Sequence, residues 1–113
     1  MDKKKFEYVN AAAHSAMLDL PKDIRIQFAF DLLRVQEGKQ PVSDFKHLSG
    51  IGEGVIELIE NGSPAYRAVY CAKFEDTVFI LHAFTKTTNG VDRKAMATVA
   101  ARYKLLIQRL KQP

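Results

Sequence analysis

Charged side chains recur along the strands predicted between Val55 and Lys86. Arg67 and Lys86 are cationic, Glu57 is a carboxylate, and His82 carries an imidazole. A guanidinium can bind two oxygens of one phosphate at the same time, whereas a carboxylate or a neutral imidazole can accept a proton. These residue types are those of a site that binds a phosphate group and moves a proton.

The spacing of these residues places them on one face of a sheet. Successive side chains of a strand point to opposite faces, so the parity of the residue number sorts them. The polar set consists of Glu57, Arg67, Val69, Cys71, Lys73, His82 and Lys86. The apolar set consists of Ile56, Leu58, Ala68, Tyr70, Phe79, Leu81 and Ala83. We expect the apolar set to contact helices, and Arg67, Lys73 and Lys86 to bind phosphate from an open face that remains free for a ligand.

Each candidate also has a structural interpretation. Arg67 can be a solvated strand residue paired with Glu57, Lys86 a solvated lysine at a strand end, and His82 a satisfied core residue. No glycine-rich phosphate loop, pair of catalytic carboxylates or metal motif is present. The single cysteine, Cys71, leaves no Cys/His cluster for zinc. The residues alone leave catalysis, binding and packing open.

The elements that must position these residues form an α+β fold. Three strands in succession, joined by turns at Asn61-Gly62 and Glu75-Asp76, predict an antiparallel meander. Apolar periodicity and capping residues predict two helices before the sheet and one after it. The predicted elements are a short strand at 6–9, helices over 11–18, about 21–36 and about 92–110, a strand over 77–84, and a loop over 39–53. We expect the helices to cover one face of this sheet.

Length and composition are those of one small domain. The chain has 113 residues, 47% of them hydrophobic, and a net charge of +4, so we expect a single domain over 1–113. A charge of this size permits an anionic partner without requiring one. The basic start, Met1 to Lys5, is not followed by the apolar stretch of a secretory signal, and the single cysteine fits a reducing compartment. We therefore expect a soluble cytoplasmic protein.

Four separated strings of the sequence resemble a known family. In chain order they are L-P-K-D-I-R-I-Q-F-A-F-D-L-L-R-V-Q-E-G-K-Q-P, L-S-G-I-G-E-G-V-I-E-L, A-Y-R-A-V-Y and V-F-I-L-H-A-F-T-K. Together they are similar to the phage-derived, HigB-like branch of the RelE/ParE toxin superfamily. The resemblance extends from Leu20 to Lys86 and continues more loosely in the last helix.

The resemblance implies a RelE-like fold and the toxin half of a type II toxin–antitoxin pair. Such a toxin is a ribonuclease that cleaves messenger RNA in the ribosome, needs neither metal nor cofactor, and is neutralised by a helix-turn-helix antitoxin. By the same resemblance, Arg67 contacts the scissile phosphate, Lys86 is a basic residue of the same site, and Glu57 lies beside them. Glu57 and His82 both remain candidates for the general base.

One departure from the family pattern leaves two other functions open. Relatives carry a run of lysines where this chain reads Thr85-Lys86-Thr87-Thr88, with one lysine. An inactive relative that binds protein or regulates its operon is the first alternative. An inhibitor of DNA gyrase, as in other branches of the superfamily, is the second.

Overall fold

The computed structural model describes residues 3–112, which form three helices and a five-stranded sheet. Met1, Asp2 and Pro113 lie outside the described residues, so the basic segment from Met1 to Lys5 is described only from Lys3 onward. The helices are α1 (Ala11–Leu18), α2 (Lys22–Gln36) and α3 (Arg93–Leu110), and the strands are β1 (Lys5–Tyr8), β2 (Asp44–His47), β3 (Val55–Glu60), β4 (Ala65–Cys71) and β5 (Thr77–Lys86). The strand order is β1-β5-β4-β3-β2, with β1 parallel to β5 and all other neighbours antiparallel. The predicted α+β meander with two N-terminal helices and one C-terminal helix is confirmed.

Local signals placed the helix ends correctly. The Asn10 side chain accepts a hydrogen bond from the Ala13 amide at 2.8 Å, and that of Asp92 accepts one from Ala95 at 3.0 Å. These caps satisfy amides that have no partner inside their helices. After α2, Gly38 adopts a left-handed conformation with φ +79°, which reverses the chain at low cost because glycine has no Cβ. None of the helices within 3–112 is long and apolar enough to cross a membrane.

Strand β2 corrects the prediction that residues 39–53 form a loop. It pairs antiparallel with β3, and its Lys46 lies opposite Glu57. The segment before it is fixed by Asp31 of α2, which is only 1% exposed. The Asp31 carboxylate accepts hydrogen bonds from the Val42 and Ser43 amides at 2.8 and 3.0 Å and from the Ser43 hydroxyl at 2.6 Å. Since a buried carboxylate needs such partners, this interaction orders the segment that leads into β2.

The sheet carries a helix on each face, so the expectation that the helices cover only one face is wrong. Helix α2 packs on one face through Ile24, Phe28, Leu32 and Val35. On the other face, α3 packs through Val99 and Leu106 against the central strands. Strands β4 and β5 are buried on both sides, and their second apolar surface requires this cover. Where α3 begins, part of this face stays accessible, because a cleft lies between the strands and the cap of α3.

A bulge explains where the parity argument failed. Val69 pairs with His82, but the next residue, Tyr70, pairs with Ile80, so Leu81 is skipped. Such an extra residue reverses the facing of every side chain on one side of it. As a result Phe79 and Leu81 face α3, contrary to the prediction. The other members of the apolar set lie on the α2 face, as predicted: Ile56, Leu58, Ala68, Tyr70 and Ala83.

Candidate functional site, a cationic cleft

A cleft of about 450 Å³ lies on the α3 face, where β4 begins and β5 ends. Side chains from four strands and the cap of α3 line it, among them Lys46, Glu57, Arg67, Phe84, Lys86 and Asp92. The sheet register brings them together because Lys46 lies opposite Glu57 and Phe84 lies opposite Arg67. We call this site the cationic cleft, after Lys46, Arg67 and Lys86.

The guanidinium of Arg67 is held in place by the hairpin of β3 and β4. Its Nη1 donates to the carbonyl oxygens of Tyr66 at 3.0 Å and Glu60 at 3.4 Å, and its Nη2 donates to Asn61 Oδ1 at 3.0 Å. Only 8% of the residue is exposed, so the expectation that Arg67 lies on an open face is wrong. It nevertheless lines the cleft, together with Asp92 and Met96 at the start of α3. A donor fixed in this way needs little reorganisation when an anion binds.

Glu57 lies on the floor of the cleft between two cations. Its Oε1 is 3.6 Å from Lys46 Nζ and 3.8 Å from Arg67 Nε. The residue is only 4% exposed, and a buried carboxylate is stable when cations compensate its charge. Sequence reasoning did not single out Lys46. Opposite charges directly across two strands are a usable signal, but only once β2 and its register are known.

Lys86 is in the same cleft, at the end of β5. Its Nζ donates to the Thr88 carbonyl at 2.7 Å, which holds the ammonium beside the loop that leads to α3. Lys86 and Arg67 also line an adjoining hollow of about 440 Å³, formed by the loops at 61–65 and 87–89. The two cations therefore stand between two concave surfaces.

His82 lies on the same face of the sheet but does not line the cleft. Its Nδ1 is 3.0 Å from Arg102 Nη1 of α3, and its ring stacks on Phe84 with centroids 5.3 Å apart. Burial, followed by the charge of Arg102, lowers the pKa of His82 to about 4. The ring is therefore neutral at physiological pH and accepts the Arg102 proton at Nδ1.

Lys73 is also separate from the cleft. It follows the far end of β4, six residues after Arg67, which is about 20 Å along a strand. Its Nζ is 2.6 Å from Glu53 Oε2, and this hydrogen bond lowers the pKa of Glu53. The structure thus brings Glu57, Arg67 and Lys86 together and leaves Lys73 and His82 outside.

Cys71 and Asp92 also carry groups with reactive chemistry, but Cys71 is buried and Asp92 caps a helix. Burial raises the pKa of the Cys71 thiol, which disfavours the nucleophilic thiolate. Asp92 lines the cleft, but one of its oxygens caps α3. Among residues 3–112 no three His, Cys, Asp or Glu side chains are grouped so that they could hold a metal ion.

Comparisons with known proteins agree with this architecture. The model of the family described as "Phage derived protein Gp49-like (DUF891)" matches residues 15–104. A solved structure of a mutant of the E. coli toxin RelE in the free state is similar, with a TM-score of 0.64 and 18% identity over 89% of this chain and 97% of that chain. No curated protein matches the sequence closely enough to count as a relative. The chain belongs to the phage-derived Gp49-like family and has a RelE-like fold, as its four sequence strings predicted.

Proposed function

We propose that this protein is the toxin of a type II toxin–antitoxin system and that it cleaves messenger RNA on the ribosome without a metal ion. The observation that carries the proposal is the cationic cleft. A guanidinium fixed by three hydrogen bonds lies 3.8 Å from a buried carboxylate, and two lysines stand beside them. The RelE-like fold supports the proposal, and the resemblance described above implies that Arg67 contacts the scissile phosphate.

The proposed reaction uses the ribose of the RNA as its own nucleophile. The 2′-oxygen attacks the neighbouring phosphorus, the bond from phosphorus to the 5′-oxygen breaks, and a 2′,3′-cyclic phosphate and a 5′-hydroxyl result. Glu57 accepts the proton of the 2′-hydroxyl, and Lys86 gives a proton to the leaving 5′-oxygen. Arg67 and Lys46 attract the phosphorane oxygens as their negative charge grows. Acid–base steps of this kind contribute about 10²- to 10⁴-fold each, and a fixed donor to a developing anion about 10²- to 10³-fold.

Glu57 is a better candidate for the base than His82 because of its position. The carboxylate is in the cleft with the cations, whereas the His82 ring lies outside it and bonds to Arg102. Lys73, on the same grounds, would contact RNA only at a distance from the reacting phosphate.

The two hollows on either side of Arg67 suit a chain of nucleotides. The cleft has a volume of about 450 Å³ and the adjoining hollow about 440 Å³. We propose that the scissile phosphate lies beside Arg67 and Lys86, where the hollows meet, with one nucleotide on each side. Recognition of this kind fixes the backbone and leaves the choice of base to the substrate's context.

Dependence on the ribosome follows from the modest charge of the cleft. Its three cations are partly offset by the carboxylates of Glu57 and Asp92. Since affinity for RNA backbone grows with the number of phosphates neutralised, free RNA would bind weakly. We therefore propose that the ribosome positions the substrate, that the protein acts as one domain in the cytoplasm, and that a helix-turn-helix antitoxin neutralises it.

An inactive, protein-binding relative is the second candidate, favoured by the single lysine in Thr85-Lys86-Thr87-Thr88. Lys46 weakens this alternative, because it adds a further ammonium to the cleft.

The test is controlled expression followed by mapping of transcript 5′ ends within minutes. Lys46→Ala removes a cleft cation, and Lys39→Ala is its matched control. The two lysine side chains are 59% and 58% exposed and lie 3.6 and 3.7 Å from a glutamate oxygen, but only Lys46 lines the cleft. We expect new cuts inside translated frames with the wild type and Lys39→Ala, and far fewer with Lys46→Ala and Lys86→Ala.

Three outcomes would contradict the proposal. Folded wild-type protein that causes neither cuts nor a growth defect would favour the inactive relative. DNA-damage signalling with intact transcripts would favour a gyrase inhibitor. Equal cutting by all variants would leave a nuclease but refute its assignment to the cationic cleft.

A further inference from the structure

Helix α2 is apolar on two opposite faces. Its inner face, from Ile24 to Val35, packs on the sheet. Its outer face carries Ile26, Phe30 and Leu33, which are 60%, 53% and 37% exposed. Together with the exposed Ala29 they form one stripe at helical spacing, which we call the outer stripe. A contiguous apolar stripe exposed on the surface typically marks a contact with another molecule, so the outer stripe indicates an interface.

The sequence of α2 is complementary to itself in the antiparallel direction. The midpoint between Ile26 and Leu33 falls between Ala29 and Phe30, and the midpoint between Lys22 and Glu37 falls at the same place. Two copies of the helix related by a two-fold axis through that point would therefore place complementary side chains opposite each other. Ile26 would pack on Leu33 of the second copy and small Ala29 on large Phe30. Lys22 would lie beside Glu37 of the second copy.

We propose that the outer stripe of α2 is the interface of a symmetric homodimer of this chain. In such an interface the same patch serves both subunits, which requires the self-complementarity that α2 shows. The opposite charges at the two ends of the stripe favour a second copy over an unrelated partner, because they fit each other only when the helices run antiparallel. Glu37 is 3.7 Å from Lys39 of its own chain, but this exposed ion pair is weak and can be exchanged.

The flanks of the helix do not oppose this pairing strongly. In the dimer, Arg25 of one copy would lie at the same height along the helix axis as Arg34 of the second copy, but both side chains point sideways from the stripe. The Nε of Arg34 donates to the Gln40 carbonyl at 2.7 Å, so this guanidinium is held back against its own chain. Repulsion between such groups at the edge of an interface is screened by water and salt.

The dimer should be weak and should leave the cationic cleft free. The 15 residues of α2 form a helix about 22 Å long, so the contact is smaller than the roughly 800 Å² per partner of a standard interface. We expect a dissociation constant on the order of 10 µM. Helix α2 and the cleft lie on opposite faces of the sheet, so both clefts of the dimer would face outward. The inference does not depend on the proposed function.

Sedimentation velocity at about 1–200 µM, spanning the expected dissociation constant, tests the proposal with a matched pair of variants. Leu33→Glu places a charge in the outer stripe, while Leu105→Glu places one on α3, on the other side of the sheet. The two leucines are 37% and 38% exposed, so their effects on folding should be similar. We expect the wild type and Leu105→Glu to dimerise as concentration rises and Leu33→Glu to remain monomeric.

A charge exchange tests the antiparallel register. Lys22→Glu should weaken the dimer about tenfold, because the symmetry places the altered pair at both ends. The double variant Lys22→Glu/Glu37→Lys should restore it. Both changes put the favoured charge at their end of α2, so they should not unfold the helix, which melting curves would verify. A wild type that stays monomeric throughout, equal loss in Leu33→Glu and Leu105→Glu, or no restoration by the double variant would overturn the proposal. A monomer that binds a different protein through the stripe would also overturn it.

Discussion

The clearest consequence of the structure is that Arg67→Ala should destabilise the fold. The substitution removes three hydrogen bonds within the hairpin of β3 and β4 and one of the two cations beside Glu57. Hydrogen bonds of this type contribute about 0.5–1.5 kcal/mol each, and the one to Glu60, at 3.4 Å, contributes least. Removing a partner from a buried ion pair costs about 3–5 kcal/mol. Since Lys46 still compensates Glu57, we expect roughly 3 kcal/mol in total.

A loss of this size is readily measured by thermal unfolding. It corresponds to a fall in Tm of about 12 °C for a chain of this length. The control is Lys86→Ala, which removes a cleft cation whose ammonium, within residues 3–112, bonds only to the Thr88 carbonyl. It should lower Tm by no more than about 4 °C. The double variant Arg67→Ala/Glu57→Leu should lose less than the sum of its single changes, because no buried charge is left alone. A Tm for Arg67→Ala within about 2 °C of the wild type would instead show Arg67 to be a solvated strand residue.

Three further predictions concern the core, the segment before β2 and the pH dependence. Tyr70→Ala, which empties a core site only 2% exposed, should cost about 3–5 kcal/mol in chemical denaturation; a cost below about 1 kcal/mol would contradict the assignment of Tyr70 to the α2 face. Asp31→Ala should speed amide hydrogen exchange at Val42 and Ser43, whose amides bond to its carboxylate, and unchanged protection would show that the segment is ordered otherwise. The pKa of His82 is about 4 in the folded protein instead of the usual 6.5, so between these pH values the unfolded chain binds more protons than the folded one. The contribution of the neutral ring to the free energy of unfolding is therefore present above pH 6.5 and is lost as the pH falls toward 4. The loss should be roughly 1–2 kcal/mol after allowance for solvent screening of the partly exposed ring. The control is His82→Gln; if its Tm falls between pH 7 and 5 as much as that of the wild type, protonation of His82 is not the cause.

The parts of the fold that depend on neighbouring residues could be predicted from the sequence. Asn10 and Asp92 marked the starts of α1 and α3, and Gly38 marked the end of α2, because caps and left-handed turns act within a few residues. Strand β2 could not be predicted in this way. Its four residues are mostly exposed, and what stabilises them is pairing with β3 and the carboxylate of Asp31, both distant in sequence.

The candidate site was predictable to the extent that strand alternation is regular. Parity placed Glu57, Arg67 and Lys86 on one face, and all three line the cleft. The bulge opposite Val69 left no local sign in the sequence, so the facing of Phe79 and Leu81 was inverted. The burial of Arg67 and the place of Lys46 depend on how a loop, a helix end and an edge strand meet, which local patterns do not specify.

Cleavage of ribosome-positioned RNA by the cationic cleft can be measured with purified components. Wild-type protein, Lys46→Ala and the matched Lys39→Ala would each be added to the same message, free and bound in a translating ribosome, and the ends of any products would be identified. We expect cleavage of ribosome-bound message alone, with 5′-hydroxyl and cyclic-phosphate ends. Lys39→Ala should keep full activity, and Lys46→Ala should lose about 10²-fold. Efficient cleavage of free RNA, products with 5′-phosphates, or no cleavage by folded wild-type protein would contradict the proposed function.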